Sequence, residues 1–349
     1  MIRFFEPSKT YLKNKDKYLK EIDRVLSAGD LILRKDVQDF EENLARFVGT
    51  KYCVALNSCT DALYLALKAL KIGQGDEVLV PSRTFVATPQ VIIQVGAIPV
   101  YYDMDGELDI TEHTKAIIPV HIEGAIDPNM SHVLETAKIH GLYVIEDSAQ
   151  ALGAYYEGKK AGSIGIAGCF SFYPAKILGG FGDAGALVTN NEQIYEYVKD
   201  ARNHFKCGCG KHKDFKHWGV NSRMDNIHAA LLNLRIKELP SILNRRQEIA
   251  EMYENGLQYT NLGLPPHTEG RVWQDYIVRT PQRDELYEYL KSEGAETMKN
   301  NYPFPVEKLS EAQRYEDETL RLPCNENLED WEIDEVISKI KQYEIRPNR

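Results

Sequence analysis

Apolar positions in this chain gather into short continuous runs, separated by longer stretches with helical spacing. Tyr52-Cys-Val-Ala-Leu56, Leu142 to Ile145 and Ala186-Leu-Val-Thr189 are runs of the kind a strand covered on both faces produces. The stretch from Asp61 to Leu70 has helical character, as does a leading segment to about Ala28 that spaces Tyr18, Ile22, Val25 and Leu26 on one face. Strand and helix patterns alternate to about Ala201, which predicts an α/β fold with a sheet covered by helices on both faces. A helical tract from Met224 to Leu239 is predicted to stop at Pro240, a hinge, with a second helix over roughly 241–257. Beyond it come a strand-like Asp275-Tyr-Ile-Val-Arg279 and a final amphipathic helix with Ile333, Val336, Ile337 and Ile340 on one face. The division expected is a large domain over 1–239 and a smaller α+β domain over 240–349, with no internal repeat and no low-complexity linker.

Chemistry concentrates where the apolar runs end. Cys169-Phe-Ser-Phe-Tyr-Pro-Ala-Lys176 carries a hydroxyl at Ser171 and an amine five residues later, and a Gly-rich turn follows. A lysine among apolar neighbours loses its proton more readily, because burial disfavours the ammonium form, and the free amine attacks carbonyls. Taken alone, the segment reads as a buried strand followed by a Gly-rich turn with a solvated lysine. Val144-Ile-Glu-Asp147-Ser-Ala-Gln150 ends its apolar run in two acids, as a buried parallel strand does when it delivers a carboxylate to its C-terminal edge. Asn57-Ser-Cys-Thr60 is a polar turn feeding a helix, where free N–H groups and the helix dipole suit an anion. An anion site, a carboxylate and a lysine in this order match what pyridoxal phosphate requires.

The chain resembles the DegT/DnrJ/EryC1/StrS group of pyridoxal-phosphate-dependent sugar-nucleotide aminotransferases, from about Leu31 to the C-terminus. The matching motifs include Asn57-Ser-Cys-Thr-Asp-Ala-Leu63, Pro81-Ser-Arg-Thr-Phe-Val-Ala-Thr88, Ile118-Pro-Val-His121, Glu146-Asp-Ser-Ala-Gln150, Ser171-Phe-Tyr-Pro-Ala-Lys176 and Asn221-Ser-Arg-Met224. The resemblance implies the aspartate-aminotransferase-like fold type I, with a mixed, mostly parallel sheet and a smaller C-terminal α+β domain. It implies Lys176 as the internal aldimine and proton carrier, Asp147 opposite the pyridine nitrogen, and Gln150 on the phenolic oxygen. Phe85 is implied to stack on the ring, and Cys59, Thr60 and Ser171 to hold the phosphate. Asn221 is implied to reach the phosphate of a neighbouring subunit, making a homodimer with shared sites. Arg223 is implied on an anionic group of the donor or nucleotide, with an interface salt bridge as its alternative. His121 and Tyr302 are implied near the substrate. Phe85 could instead be core, and Thr60 could cap its helix.

The implied reaction takes the amino group of L-glutamate and gives it to a nucleotide-linked keto-6-deoxyhexose at C3 or C4, in ping-pong order. Two alternatives share the fold. A pyridoxamine-dependent sugar dehydratase replaces the Schiff-base lysine with histidine, which Lys176 argues against. A non-catalytic sensor would carry an added module, for which 349 residues leave no room.

Composition changes this picture little. With 43% hydrophobic residues the chain can build two cores, and a net charge of −10 without a Lys/Arg block argues against nucleic acid. No apolar run approaches the roughly 20 residues of a membrane span, and Met1-Ile-Arg-Phe-Phe-Glu-Pro lacks the core of a signal peptide, so a cytoplasmic enzyme is expected. Cys53, Cys59, Cys169 and Cys324 read as reduced, mostly buried thiols. Cys207-Gly-Cys209, near His204, His212 and His217, departs from the usual spacing of zinc ligands and reads as a glycine-rich loop, so no metal is expected. Three positions depart from the family's pattern near the acceptor sugar: Glu123 before Gly124, Asn301 before Tyr302-Pro303, and Asn325 after Leu-Pro-Cys.

Overall fold

The computed structural model describes residues 1–103, 107–206, 218–300 and 310–345. Tyr302, Asn301 and the Cys207-Gly-Cys209 segment lie outside these residues. The strands in chain order are β1 (Tyr52–Leu56), β2 (Glu77–Pro81), β3 (Ile98–Tyr102), β4 (Thr114–Ile117), β5 (Tyr143–Asp147), β6 (Tyr155–Tyr156), β7 (Lys159–Lys160), β8 (Ala167–Ser171), β9 (Gly185–Thr189), β10 (Tyr276–Arg279), β11 (Met298–Lys299) and β12 (Thr319–Leu322). The helices are α1 (Pro7–Lys13), α2 (Lys15–Ala28), α3 (Lys35–Val48), α4 (Cys59–Ala69), α5 (Ala87–Gln94), α6 (Met130–His140), α7 (Glu192–Ala201), α8 (Asn226–Leu257), α9 (Arg283–Ser292), α10 (Ser310–Glu318) and α11 (Asp330–Glu344).

Seven strands form one sheet in the order β1-β9-β8-β5-β4-β2-β3. Its pairs are parallel except around β9, which runs antiparallel to both β1 and β8. The strands are short and, apart from the edge strand β3, mostly buried, as both-face coverage demands: β9 is buried at every position. One layer of core packs α4 and α7 onto the sheet around Leu63, Leu67, Val198 and Ile145. A second places α3 and the start of α8 on it, around Phe40, Leu44, Phe172 and Leu239.

A three-stranded antiparallel sheet, β10-β12-β11, carries the smaller layer of α9, α11 and the end of α8, with Tyr253, Tyr276 and Leu290 at its centre. Ile333, Val336, Ile337 and Ile340 all face this core, as their spacing predicts.

Three local readings of the sequence need correction. Helix α8 does not stop at Pro240 but continues through it to Leu257, so the boundary drawn at 239/240 falls inside a helix. Proline removes one N–H and crowds the preceding turn; here Leu239, Ile242, Arg246 and Ile249 are buried on both sides of it, and that packing outweighs the local cost. Leu26 is exposed; only Tyr18 and Val25 of α2 are buried. The cap of α4 is Ser58, whose hydroxyl accepts the Asp61 N–H at 3.1 Å, and not Thr60.

Candidate active site

Four chain segments reach the same edge of the large sheet. Register pairs Leu56 at the end of β1 with Gly185 at the start of β9, and Gly185 with Ser171 at the end of β8. Asp147 at the end of β5 lies beside Cys169 of β8. The cleft over this edge has a volume of about 650 Å³, and Cys59, Thr60, Phe85, His121, Asp147, Gln150, Ser171 and Lys176 all line it. Asn221 and Arg223 do not. Asn221 is exposed and bridges Asn203, and the Arg223 guanidinium donates to the Asn203 side chain at 2.9 Å.

Glu146 and Asp147 point to opposite faces of β5, as neighbours on a strand must. Glu146 faces inward, where its carboxylate accepts the N–H groups of Gly162, Ile164 and Gly165, each at 2.7 Å. His121 Nδ1 accepts the Asp127 N–H at 3.1 Å, so Nε2 carries the proton and donates to Glu146 at 2.9 Å. The His121 ring is therefore committed on both nitrogens to holding the loop after β4, and it lines the cleft as a wall.

Asp147 faces the cleft with its carboxylate fixed. The Thr88 hydroxyl donates to Oδ2 at 2.7 Å, and the Ala149 N–H to Oδ1 at 3.2 Å. The Cys59 thiol lies 3.9 Å from Oδ1, and burial together with that carboxylate pushes its pKa well up, which keeps it a neutral donor. Gln150 accepts the Glu123 N–H at 2.9 Å. Phe85 is half-exposed on the cleft rim, and not core.

Lys176 sits in the turn joining β8 to β9. Burial lowers its pKa, while Asp275 and then Asp147 work against that trend and Arg321 reinforces it. The neighbouring Ile177 and Leu178 are buried, and Gln274 brackets the lysine by donating to the Ala175 carbonyl at 2.8 Å and accepting the Ile177 N–H at 3.1 Å.

The donor set fits pyridoxal phosphate on three counts. The first turn of α4 presents its N–H groups beside Ser171, where an anion is favoured. Gly185 passes so close behind that turn that a Cβ there would lie 2.2 Å from Ser58 C and 2.5 Å from Cys59 N, so the turn is backed by main chain. A fixed carboxylate and a buried amine complete the set.

Several residues in the cleft or behind it escaped the sequence reading. Thr88 lay in a motif without an assigned role, and its position one turn after Thr84 on a helix start was the available signal. Asp275 and Arg321 gave none. Leu320-Arg321-Leu322 reads as a strand with an outward arginine, yet Arg321 is largely buried against Asp275. Around Glu123, which stands at φ 59°, a further buried cluster forms. Its carboxylate binds Arg83 and accepts from the Tyr315 hydroxyl at 2.9 Å, and Arg83 lies 3.6 Å from the centre of the Tyr315 ring. Burial alone would raise the Glu123 pKa, but Arg83 and Arg271 hold it below its ordinary value. Cys53, Cys59, Cys169 and Cys324 are free and buried, as expected.

Comparison with known proteins agrees with this geometry. The model of the DegT/DnrJ/EryC1/StrS aminotransferase family matches residues 13–341. The chain is 36% identical to dTDP-3-amino-3,4,6-trideoxy-alpha-D-glucose transaminase of Streptomyces venezuelae, covering 93% of this chain and 91% of that protein. It is 35% identical to UDP-2-acetamido-2-deoxy-3-oxo-D-glucuronate aminotransferase of Pseudomonas aeruginosa, covering 93% and 92%. The crystal structure of S. venezuelae DesV in complex with a ketimine intermediate superposes with a TM-score of 0.91 at 34% identity over 99% of both chains. Solved structures of the same fold include both the pyridoxal and the pyridoxamine phosphate forms of a sugar aminotransferase.

Proposed function

Because the chain belongs to the DegT/DnrJ/EryC1/StrS aminotransferase family, we propose that it moves an amino group from L-glutamate to a keto-hexose carried on a nucleotide, at C3 or C4 of the sugar. It is a pyridoxal-phosphate-dependent aminotransferase. The observation that carries the fuller reading is that Lys176, Asp147, Gln150, Ser171 and the first turn of α4 line one cleft. Both relatives described above act on sugars joined to a nucleoside diphosphate.

In this reading the cofactor, when bound, would supply the electron sink that amino transfer requires. The chain's own residues do the rest. The N–H groups of Cys59 and Thr60, with the Ser171 hydroxyl, hold the phosphate. Asp147, pinned by Thr88 and Ala149, keeps a proton on the pyridine nitrogen. Gln150 contacts the phenolic oxygen, and Phe85 covers one ring face from the rim. Lys176, its ammonium form disfavoured by burial, is ready as a base for the proton at the donor's α-carbon. His121 shapes the wall of the cleft and fixes the loop carrying Glu123. Tyr302 is assigned to the acceptor sugar.

Asn221 is assigned to the cleft of a second copy, which makes the working unit a homodimer with shared sites, and Arg223 to an anionic group of the donor or nucleotide or to a salt bridge at that interface. The position of Asn221 away from the cleft of its own chain supports this. No helix among the described residues is long and apolar enough to cross a membrane. The four free thiols suit a reducing compartment, and we place the enzyme in the cytoplasm.

The test is the visible absorbance of the purified holoenzyme before and after glutamate, followed by a panel of nucleotide keto-sugars with product analysis. A band that glutamate bleaches, and that a keto-sugar restores with formation of an amino sugar, is expected. A band indifferent to glutamate would remove it as donor.

A further inference from the structure

We propose that Arg321 and Asp275 form the subsite for the carboxylate of the amino donor, with Asp275 occupying the guanidinium until that carboxylate arrives. The inference rests on the aminotransferase reading above and adds to it a residue pair from the small sheet.

Among the described residues lining the cleft, the lysine and arginine side chains are Lys176, Arg246 and Arg321. The three are not equivalent. Lys176 is the amine. Arg246 is consumed by the fold: it donates to the carbonyls of Trp273 at 3.0 Å, Gln274 at 3.1 Å and Cys324 at 2.5 Å, and to Glu326 at 3.0 Å. Arg321 instead pairs with a side chain, Asp275, that also lines the cleft. Carboxylate can replace carboxylate there without leaving the guanidinium unpaired, because an incoming ligand restores its pairing.

The placement is firm. Ile277 of β10 pairs with Arg321 of β12, and Met298 of β11 pairs with the same residue, so the arginine is on the middle strand of its sheet. Gln274, the neighbour of Asp275, brackets Lys176 through Ala175 and Ile177. The subsite is thereby registered to the amine through one side chain. Arg246 ties the same segment to the segment of Cys324. Arginine suits the task because its planar fork matches a carboxylate. The chain's net charge of −10 repels a dicarboxylate at long range, so a local cation is needed to hold one.

The probe is glutarate, a dicarboxylate with no amino group to transfer, titrated calorimetrically into the holoenzyme, alongside the glutamate dependence of bleaching in a single turnover. For Arg321→Gln, glutarate affinity is expected to fall about tenfold or more, and half-saturation by glutamate to rise by a similar factor. At a pH where both proteins are fully reconstituted, the visible band before donor addition should keep its native intensity. Arg321→Lys keeps the charge but not the fork and should lie between. Asp275→Asn removes the internal competitor and should bind glutarate more tightly than the native enzyme. Equal glutarate affinity in the native, Arg321→Gln and Asp275→Asn proteins would overturn the subsite. Failure of native enzyme to bleach with glutamate, with glutarate still bound through Arg321, would overturn the choice of donor and leave the subsite standing.

Discussion

The two ends of the cleft are built from different materials. At the large-sheet end the cleft-facing groups come from strand termini and the first turn of a helix, and much of their support is backbone: Ala149 N–H on Asp147, and the Ser58–Cys59 main chain packed against Gly185. At the small-sheet end they are charged side chains held by other charged side chains, as in Arg321 with Asp275. Backbone geometry tolerates no adjustment and suits a ligand that never changes. Ion pairs can exchange partners and can be rewritten by single substitutions, which suits substrates that differ from one enzyme to the next.

The sharpest break in this comparison is Lys176→Ala. It should lower turnover by at least about a thousandfold while leaving the fold intact, since the group lost is chemical and not structural. Turnover assays beside thermal unfolding would show it, and sustained native-like turnover would end the assignment.

Glu123→Gln tests a buried ion pair directly. It leaves Arg83 buried without its counter-charge, at a cost of about 3 kcal/mol in unfolding free energy, with cofactor content unchanged. The native protein should also show an acid limb. Because the folded pKa of Glu123 lies below its unfolded one, its contribution is present above the unfolded value and is lost as pH falls through the folded value. Denaturant unfolding as a function of pH should show that limb in the native protein and a shallower one in the variant.

Thr88→Val removes the 2.7 Å donor from Asp147 and should weaken cofactor retention by about 1–2 kcal/mol, measured by dialysis against a fixed pyridoxal phosphate concentration. The smallest effect is electrostatic. Asp275 favours the Lys176 ammonium and Arg321 opposes it. Asp275→Asn should therefore shift the pH midpoint for reconstitution of apoprotein to lower pH, and Arg321→Gln should shift it to higher pH. Shifts of the same sign in both would contradict the arrangement.

What could be seen in the sequence follows the same divide. The apolar runs ending at Leu56, Asp147 and Ser171 announce buried strands and place their polar termini on one edge, because strand burial is a local pattern. The charged clusters depend on residues far apart in the chain. Arg321 reaches back to Asp275, and Tyr315 to Glu123, and no local periodicity encodes either contact. Pro240 misled for a related reason. Its cost is local, while the buried residues that hold α8 together around it belong to two different cores.

The reversed strand β9 also sets an order in time. Ser171 and Gly185 are close in sequence, so their pairing closes the lysine's turn by a short loop, whereas Gly185 must find Leu56 across more than a hundred residues of intervening chain. Loop-closure entropy thus favours early positioning of the amine, and the first turn of α4 meets Gly185 only when β1 docks. Cofactor capture should accordingly follow the slowest phase of refolding, and growth of the visible band in a refolding experiment would serve as a clock for the last step of assembly.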